Sequence, residues 1–152
     1  MLSNRSAPTA TVVPVLIYDD VGKAIDWLCD AFGFTERLRA GNDHGQIAIG
    51  EGAVMLGARR VGQGFDSPDS AEFRPPRSDE VSQLVHVRVD DVDRHHAHAG
   101  ERGARILQPP TDHPYGERQY TAEDLGGHRW TFSQSIADVA PEDWGATPAK
   151  TV

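Results

Sequence analysis

The chain has 152 residues, of which 38% are hydrophobic, with 15 glycines and a formal charge of −8. That length accommodates one domain with a substantial core, and no run approaches the ~20 apolar residues of a membrane-spanning helix. The acidic balance and the scattered arginines exclude nucleic acid, and with it any phosphate backbone, as an expected partner. Met1 to Pro8 lacks the apolar centre of a signal peptide, so residues 1–10 read as a flexible tail and a cytoplasmic location is expected. The single cysteine, Cys29, has no internal disulfide partner and is expected to be a small buried hydrophobe.

The first regular stretch, Thr11 to Tyr18, is β-branched and apolar and reads as a strand. Pro14 lacks an amide donor and suggests an edge or a strand end. Asp19-Asp20 offers a helix N-cap. Val21, Ile25, Leu28, Cys29 and Phe32 then fall on one helical face, and Gly33 stops the helix. Three strands follow, Phe34 to Arg39, His44 to Gly50 and Ala53 to Ala58. Gly41-Asn42-Asp43 and Glu51-Gly52 separate them as hairpin turns. Arg59 to Ser78, rich in Gly, Pro and Ser, reads as a linker or a lid.

The second half repeats the order. Leu84 to Val89 alternates at strand period, Asp90-Asp91 repeats the cap, and a helix runs through Glu101 to Gly103. Strands follow over Ala104 to Gln108, Tyr115 to Ala122 and His128 to Gln134, the last two split by Leu125-Gly126-Gly127. The caps Asp20 and Asp91 lie 71 residues apart and the glycines Gly33 and Gly103 lie 70 apart. Such long-period similarity implies two modules, each β-α-β-β-β. A four-stranded sheet with one helix covers only one face, so the expected fold class is α+β, with the two modules paired in a curved mixed sheet around a cleft. The expected organisation is one domain over residues 11–136, with modules 11–58 and 82–136, a linker over 59–81 and an arm over 137–152 pinned by Trp144.

Three segments carry a resemblance: Ala24-Ile-Asp-Trp-Leu-Cys-Asp-Ala-Phe-Gly-Phe34, Val89-Asp-Asp-Val-Asp93, and Tyr115-Gly-Glu-Arg-Gln-Tyr120 followed by Asp124-Leu-Gly-Gly-His-Arg-Trp-Thr-Phe132. They resemble the first-helix signature, the second-module helix start and the closing segment of the vicinal-oxygen-chelate superfamily, which includes glyoxalase I, bleomycin-resistance proteins and extradiol dioxygenases. The resemblance spans Val12 to Gln134. It implies a two-module fold but no particular chemistry, since one fold hosts many activities. It also implies four metal positions, usually His, Glu or Gln. Here they fall near Val13, within Val54-Met55-Leu56, at Leu84 and at Thr131. These side chains do not make a divalent-metal site, so neither metal nor cofactor is expected.

Strand alternation gives the expected lining of the cleft. Val85, Val87 and Val89 face the helix with Trp130 and Phe132, leaving Leu84, His86, Arg88, Arg129, Thr131 and Ser133 towards the cleft. Val13, Val15 and Ile17 line it from the first module, and Arg118 and Tyr120 reach it from the penultimate strand. The candidate ligand-binding residues are therefore His86, Arg88, Arg118, Tyr120, Arg129 and Thr131, and no catalytic residue is assigned. Among the other histidines, His96 is expected to pack on the sheet with Val92 and Ala99, His95 and His98 to point outward, and His44 and His113 to be exposed. The expected protein is a metal-free binder of a small organic molecule, with a metal-dependent or His86-assisted lyase, isomerase or dioxygenase as the alternative. Resemblance to dimeric relatives implies a homodimer.

Overall fold

The computed structural model describes residues 2–62 and 68–150. It contains two compact units, one of residues up to Ser82 with Asp124–His128, the other of Gln83–Glu123 and the residues from Arg129 onward.

In the first unit β1 (Val15–Tyr18), α1 (Val21–Phe32), β2 (Thr35–Ala40), β3 (His44–Ile49) and β4 (Gly52–Ala58) give a sheet of order β1-β4-β3-β2. β1 runs parallel to β4, and the other pairs are antiparallel. β1 is an edge strand that starts at Val15, later than the expected Thr11, and the Pro14 carbonyl still accepts from Met55 N at 2.9 Å. α1 begins because the Asp20 carboxylate accepts from Lys23 N at 3.0 Å, satisfying one of the orphan first-turn donors. It ends at Gly33, whose φ of 75° suits a residue without Cβ, with its N–H on the Cys29 carbonyl. Val21, Ala24, Ile25, Leu28, Ala31 and Phe32 are buried beneath it, with Leu16, Ile47, Val54 and Leu56 also in the core. Each large side chain removed from water in this way contributes ~1.5–3 kcal/mol. Gly45 lets the layers approach, since a Cβ there would lie 2.5 Å from Ile25 Cδ1. Cys29 departs from expectation: it lies at the margin of the helical stripe and is only half-buried.

The expected irregular linker contains a short two-stranded ladder, β5 (Arg60–Val61) with β6 (Glu72–Phe73). The Arg60 guanidinium stacks 4.7 Å from the Phe73 ring centre, and Arg59 bridges Asp19 and Glu72. The centre of the expected lid, residues 63–67, lies outside the described residues. The β9–β10 turn also belongs to this unit. Asp124 accepts from Tyr18 OH, Gly126 N and His128 N, and the His128 ring donates to the Ile17 carbonyl at 2.7 Å.

In the second unit β7 (Val85–Arg88), α2 (Val92–Glu101), β8 (Arg105–Asp112), β9 (Glu117–Glu123) and β10 (Arg129–Ser135) repeat the plan with order β7-β10-β9-β8. Asp91 caps α2 by accepting from Arg94 N, as Asp20 caps α1. The core holds Val87, Val92, Ala99, Tyr120, Ala122, Trp130 and Phe132. Expectations for three histidines are corrected here. His95 does not point outward; its ring lies 4.2 Å from Phe132 and its Nδ1 pairs with Tyr120 OH at 2.5 Å. His96 is edge-on to Tyr120, so α2 sets both imidazoles around one aromatic side chain, while His98 is exposed. His44 and His113 are half-buried rather than exposed, the first bonded to Gln46 and the second stacked on Tyr115. After β10 the chain returns over Gly116, whose carbonyl accepts from Ile136 N and Ala137 N. A 3-10 turn at Pro141–Trp144 then brings Trp144 to 5.4 Å from Tyr115.

Candidate functional site

Cross-strand register fixes which side chains share the face of the second sheet away from α2. Thr131 pairs with His86 and with Thr121, and Ser133 pairs with Arg88 and with Gln119. Trp130, Phe132, Tyr120 and Ala122 occupy the alternate positions and are fully buried. The open face therefore carries His86 and Arg88 from β7, Arg129, Thr131 and Ser133 from β10, and Glu117, Gln119 and Thr121 from β9.

His86, Arg88, Ser133, Glu117 and Gln119 form a connected polar row with Tyr115, beside a separate Thr121–Thr131 pair and Arg129. His86 Nε2 lies 2.8 Å from Ser133 Oγ and 3.8 Å from Glu117 Oε2. Gln119 Nε2 donates to Glu117 Oε2 at 2.6 Å, and Tyr115 OH donates to Gln119 Oε1 at 3.2 Å. The Arg88 guanidinium, 3.8 Å from Glu117 Oε1, is 75% exposed and loosely held. Thr121 and Thr131 share a hydroxyl hydrogen bond of 2.9 Å. Arg129 Nε is buried without a hydrogen-bond partner, a condition that costs free energy until a partner arrives. Ser133 is inaccessible, whereas the His86 side chain is 47% exposed, so this row presents the imidazole outward together with the Arg88 guanidinium.

Of the six expected ligand-binding side chains, His86, Arg88, Arg129 and Thr131 lie on this face. Arg118 and Tyr120 do not, and the expectation that they reach it is corrected. Tyr120 pairs with Phe132 in register and follows it to the α2 side, where burial pushes its hydroxyl above the ordinary tyrosine range. Arg118, two residues earlier, is clamped between Asp112 and Asp93 at 2.9 and 3.1 Å. Glu117, Gln119 and Tyr115 were missed by the sequence reading. The period of two that leads back from Thr121 finds Glu117 and Gln119 once the β9–β10 register is known.

The metal positions implied by the family do not fit a divalent ion. Val54 and Leu56 are buried in the core, Leu84 is apolar, and Thr131 offers only a neutral hydroxyl in place of an imidazole or carboxylate. Among the described residues no three His, Cys, Asp or Glu side chains converge to hold a metal, and His86 with Glu117 supplies only a pair. In the first unit, Val15 and Ile17 also turn away from α1, Val15 exposed and Ile17 buried. On the α1 side of that unit a groove of about 510 Å³ is bounded by Lys23, Trp27, Arg59, Pro75, Pro76 and Leu125.

Duplicated β-α-β-β-β units, each with a parallel outer pair, are the architecture of the glyoxalase class. The model of the Glyoxalase/Bleomycin resistance protein/Dioxygenase superfamily matches residues 10–132, and the chain belongs to that family. Among solved structures it is similar to TioX from Micromonospora sp. ML1, at 33% identity and a TM-score of 0.67, over 82% of this chain and 98% of TioX. Lactoylglutathione lyase from Agrobacterium tumefaciens, 17% identical with a TM-score of 0.59 over 84% of this chain and 94% of its own, shares the fold. An uncharacterised protein of Mycobacterium tuberculosis is 26% identical over 129 residues, covering 83% of this chain and 75% of the relative. No helix among the described residues is long and apolar enough to cross a membrane.

Proposed function

We propose that this family member binds a small organic molecule on the open face of β7, β10 and β9 without a divalent metal. The observation that carries the proposal is the pairing of a presented hydrogen-bonding row with metal positions that hold Val, Leu and Thr. His86 offers an imidazole oriented by Ser133, Arg88 and Arg129 offer positive charge, and Thr131 supplies a hydroxyl. This mixture suits a partly aromatic molecule bearing a carboxylate, phenolate or carbonyl, because guanidinium groups favour planar anionic partners. A homodimer and a cytoplasmic location belong to the same proposal and are tested by single-molecule mass and by cell fractionation.

The test is a thermal-shift screen of aromatic carboxylates and phenols with and without EDTA, with metal analysis of protein purified without chelators. A ligand at 100 times its Kd stabilises the native state by about 2.7 kcal/mol. The expected result is a shift that EDTA leaves unchanged and that His86→Ala and Thr131→Val reduce. Near-stoichiometric metal, or binding lost with EDTA, overturns the proposal.

A second reading is favoured by Glu117, which places a carboxylate 3.8 Å from the His86 ring. A presented imidazole with an anionic neighbour is the arrangement of a general base, and the protein is then a His86-assisted lyase or isomerase. Turnover that disappears with both His86→Ala and Glu117→Gln supports this reading, and equal rates for all three proteins reject it.

A further inference from the structure

The main chain of Arg5 and Ser6 is held at the face of the first sheet that α1 leaves open. Gly45 and Ile47 of β3 face α1, so His44, Gln46 and Ala48 face away from it. The register between β2 and β3 slips between Glu36 and Leu38, making Arg37 an extra residue in the strand. A bulge of this kind re-aims a side chain, and Arg37 Nη1 donates to Gln46 Oε1 at 2.5 Å. Gln46 is 2% exposed, and its amide is fully used. Its Nε2 donates to the Ser6 carbonyl and meets His44 Nε2, both at 3.0 Å. Arg37 Nη2 donates to the Arg5 carbonyl at 2.7 Å.

Two consecutive main-chain carbonyls are thus held by side chains of β2 and β3. The recognised groups belong to the peptide backbone, which makes the cradle indifferent to side-chain identity. The side chains of buried Gln46 and half-buried Arg37 take no part in the β2–β3 backbone ladder, and burying the Gln46 amide is costly without partners. A cradle for amide carbonyls accounts for both.

We propose that Arg37, Gln46 and His44 form a binding site for extended peptide-like molecules with consecutive amide carbonyls, and that the N-terminal segment occupies it as an internal ligand. The site lies on the first sheet and does not depend on the His86 face. Because the segment is tethered, it competes at an effective concentration of roughly millimolar order. An external peptide therefore binds the whole chain weakly and a chain lacking residues 2–10 more tightly.

The probes are a fluorescent peptide with the sequence of residues 2–10 and the same peptide with an (E)-alkene replacing the Arg5–Ser6 amide. The expected result is saturable binding to the shortened chain at least about tenfold tighter than to the whole chain. The alkene peptide, and the parent peptide on Arg37→Ala, lose at least about tenfold. Equal binding of the two peptides, equal affinity for the two chains, or no binding to a shortened chain with native circular dichroism overturns the proposal. If the shortened chain does not fold, amide exchange of Ser6 and Ala7 is followed in the whole chain with excess peptide. Faster exchange with the parent peptide alone supports the site, and unchanged exchange rejects it.

Discussion

Tyr18 donates its hydroxyl hydrogen to Asp124 Oδ2 at 2.6 Å, and the two residues are 106 positions apart in sequence. Both are buried, and Asp124 uses its other oxygen to hold Gly126 N and His128 N. Removing the hydroxyl in Tyr18→Phe leaves one oxygen of a buried carboxylate without this donor. The expected loss is ~1–3 kcal/mol of unfolding free energy, read from urea denaturation. A change below a few tenths shows that the hydroxyl is replaceable by water.

The same residue gives an alkaline pH dependence. Burial first, then the Asp124 carboxylate and its hydrogen bond, holds the Tyr18 hydroxyl well above its ordinary value of 10.0. Burial raises Tyr120 likewise. The unfolded chain releases these protons near ~10 while the native state keeps them, so native stability is complete below that pH and falls as pH rises above it. Denaturation midpoints from pH 8 to 11 are expected to drop above pH ~10, with a shallower drop for Tyr18→Phe. Parallel profiles for the two proteins contradict the assignment to Tyr18.

Gly116 has a φ of 84°, and an added Cβ would collide with the Ala137 carbonyl and Val139. Neither the turn nor the returning chain can shift cheaply, because the Gly116 carbonyl holds Ile136 N and Ala137 N. Gly116→Ala is expected to cost ~1–3 kcal/mol and to redden Trp144 emission as Tyr115 and Trp144 separate. An unchanged melting temperature and spectrum would mean that the arm is held elsewhere.

Cys29 is predicted to react slowly. Burial and then the Glu36 carboxylate raise its thiol above the usual value, although a hydrogen bond from the Glu36 backbone and, less, the Arg39 guanidinium oppose them. At pH 8 its reaction with a disulfide reagent is expected to be roughly severalfold slower than that of a free cysteine, and faster again in Glu36→Gln. A rate equal to that of free cysteine refutes the electrostatic argument.

The face assignment is tested by pairs of substitutions. Once a ligand for the His86 face is known, Arg118→Ala and Tyr120→Phe are expected to leave its affinity unchanged within about twofold, because both point to the α2 side. His86→Ala and Thr131→Val are expected to weaken it by about tenfold or more, the loss of one hydrogen bond or so. The reverse pattern would place the ligand on the other face of the sheet.

Local chemistry made much of the fold legible. Asp20 and Asp91 announce their helices through side chains that accept from the third residue onward, and Gly33 marks a stop that needs positive φ. The repeat showed that each half holds the same units. What the sequence could not supply was register between strands. Phe132 was placed on the helix side and Tyr120 on the opposite one, yet the two are direct partners, so they must share a face. His95 failed differently: a helix with only Val92 and Ala99 in its core lets Tyr120 draw both neighbouring imidazoles inward. Glu117 and Arg37 were invisible for a third reason. One joins His86 through space from another strand, and the other owes its direction to a bulge that no composition signals.

The clasp between Tyr18 and Asp124 also orders events in time. A ribosome working at about 5–20 residues per second needs roughly 5 to 20 s to make the stretch between them. By the end of that interval α1 and the first four strands have been made, still without the turn that completes them. The opening half of the sequence therefore lacks, on its own, the acceptor for the buried Tyr18 hydroxyl. It reaches its final state only after the ninth strand has been synthesised, so a nascent chain stalled before Asp124 leaves Tyr18 without its acceptor, and the earliest-made part of the protein is among the last to be finished.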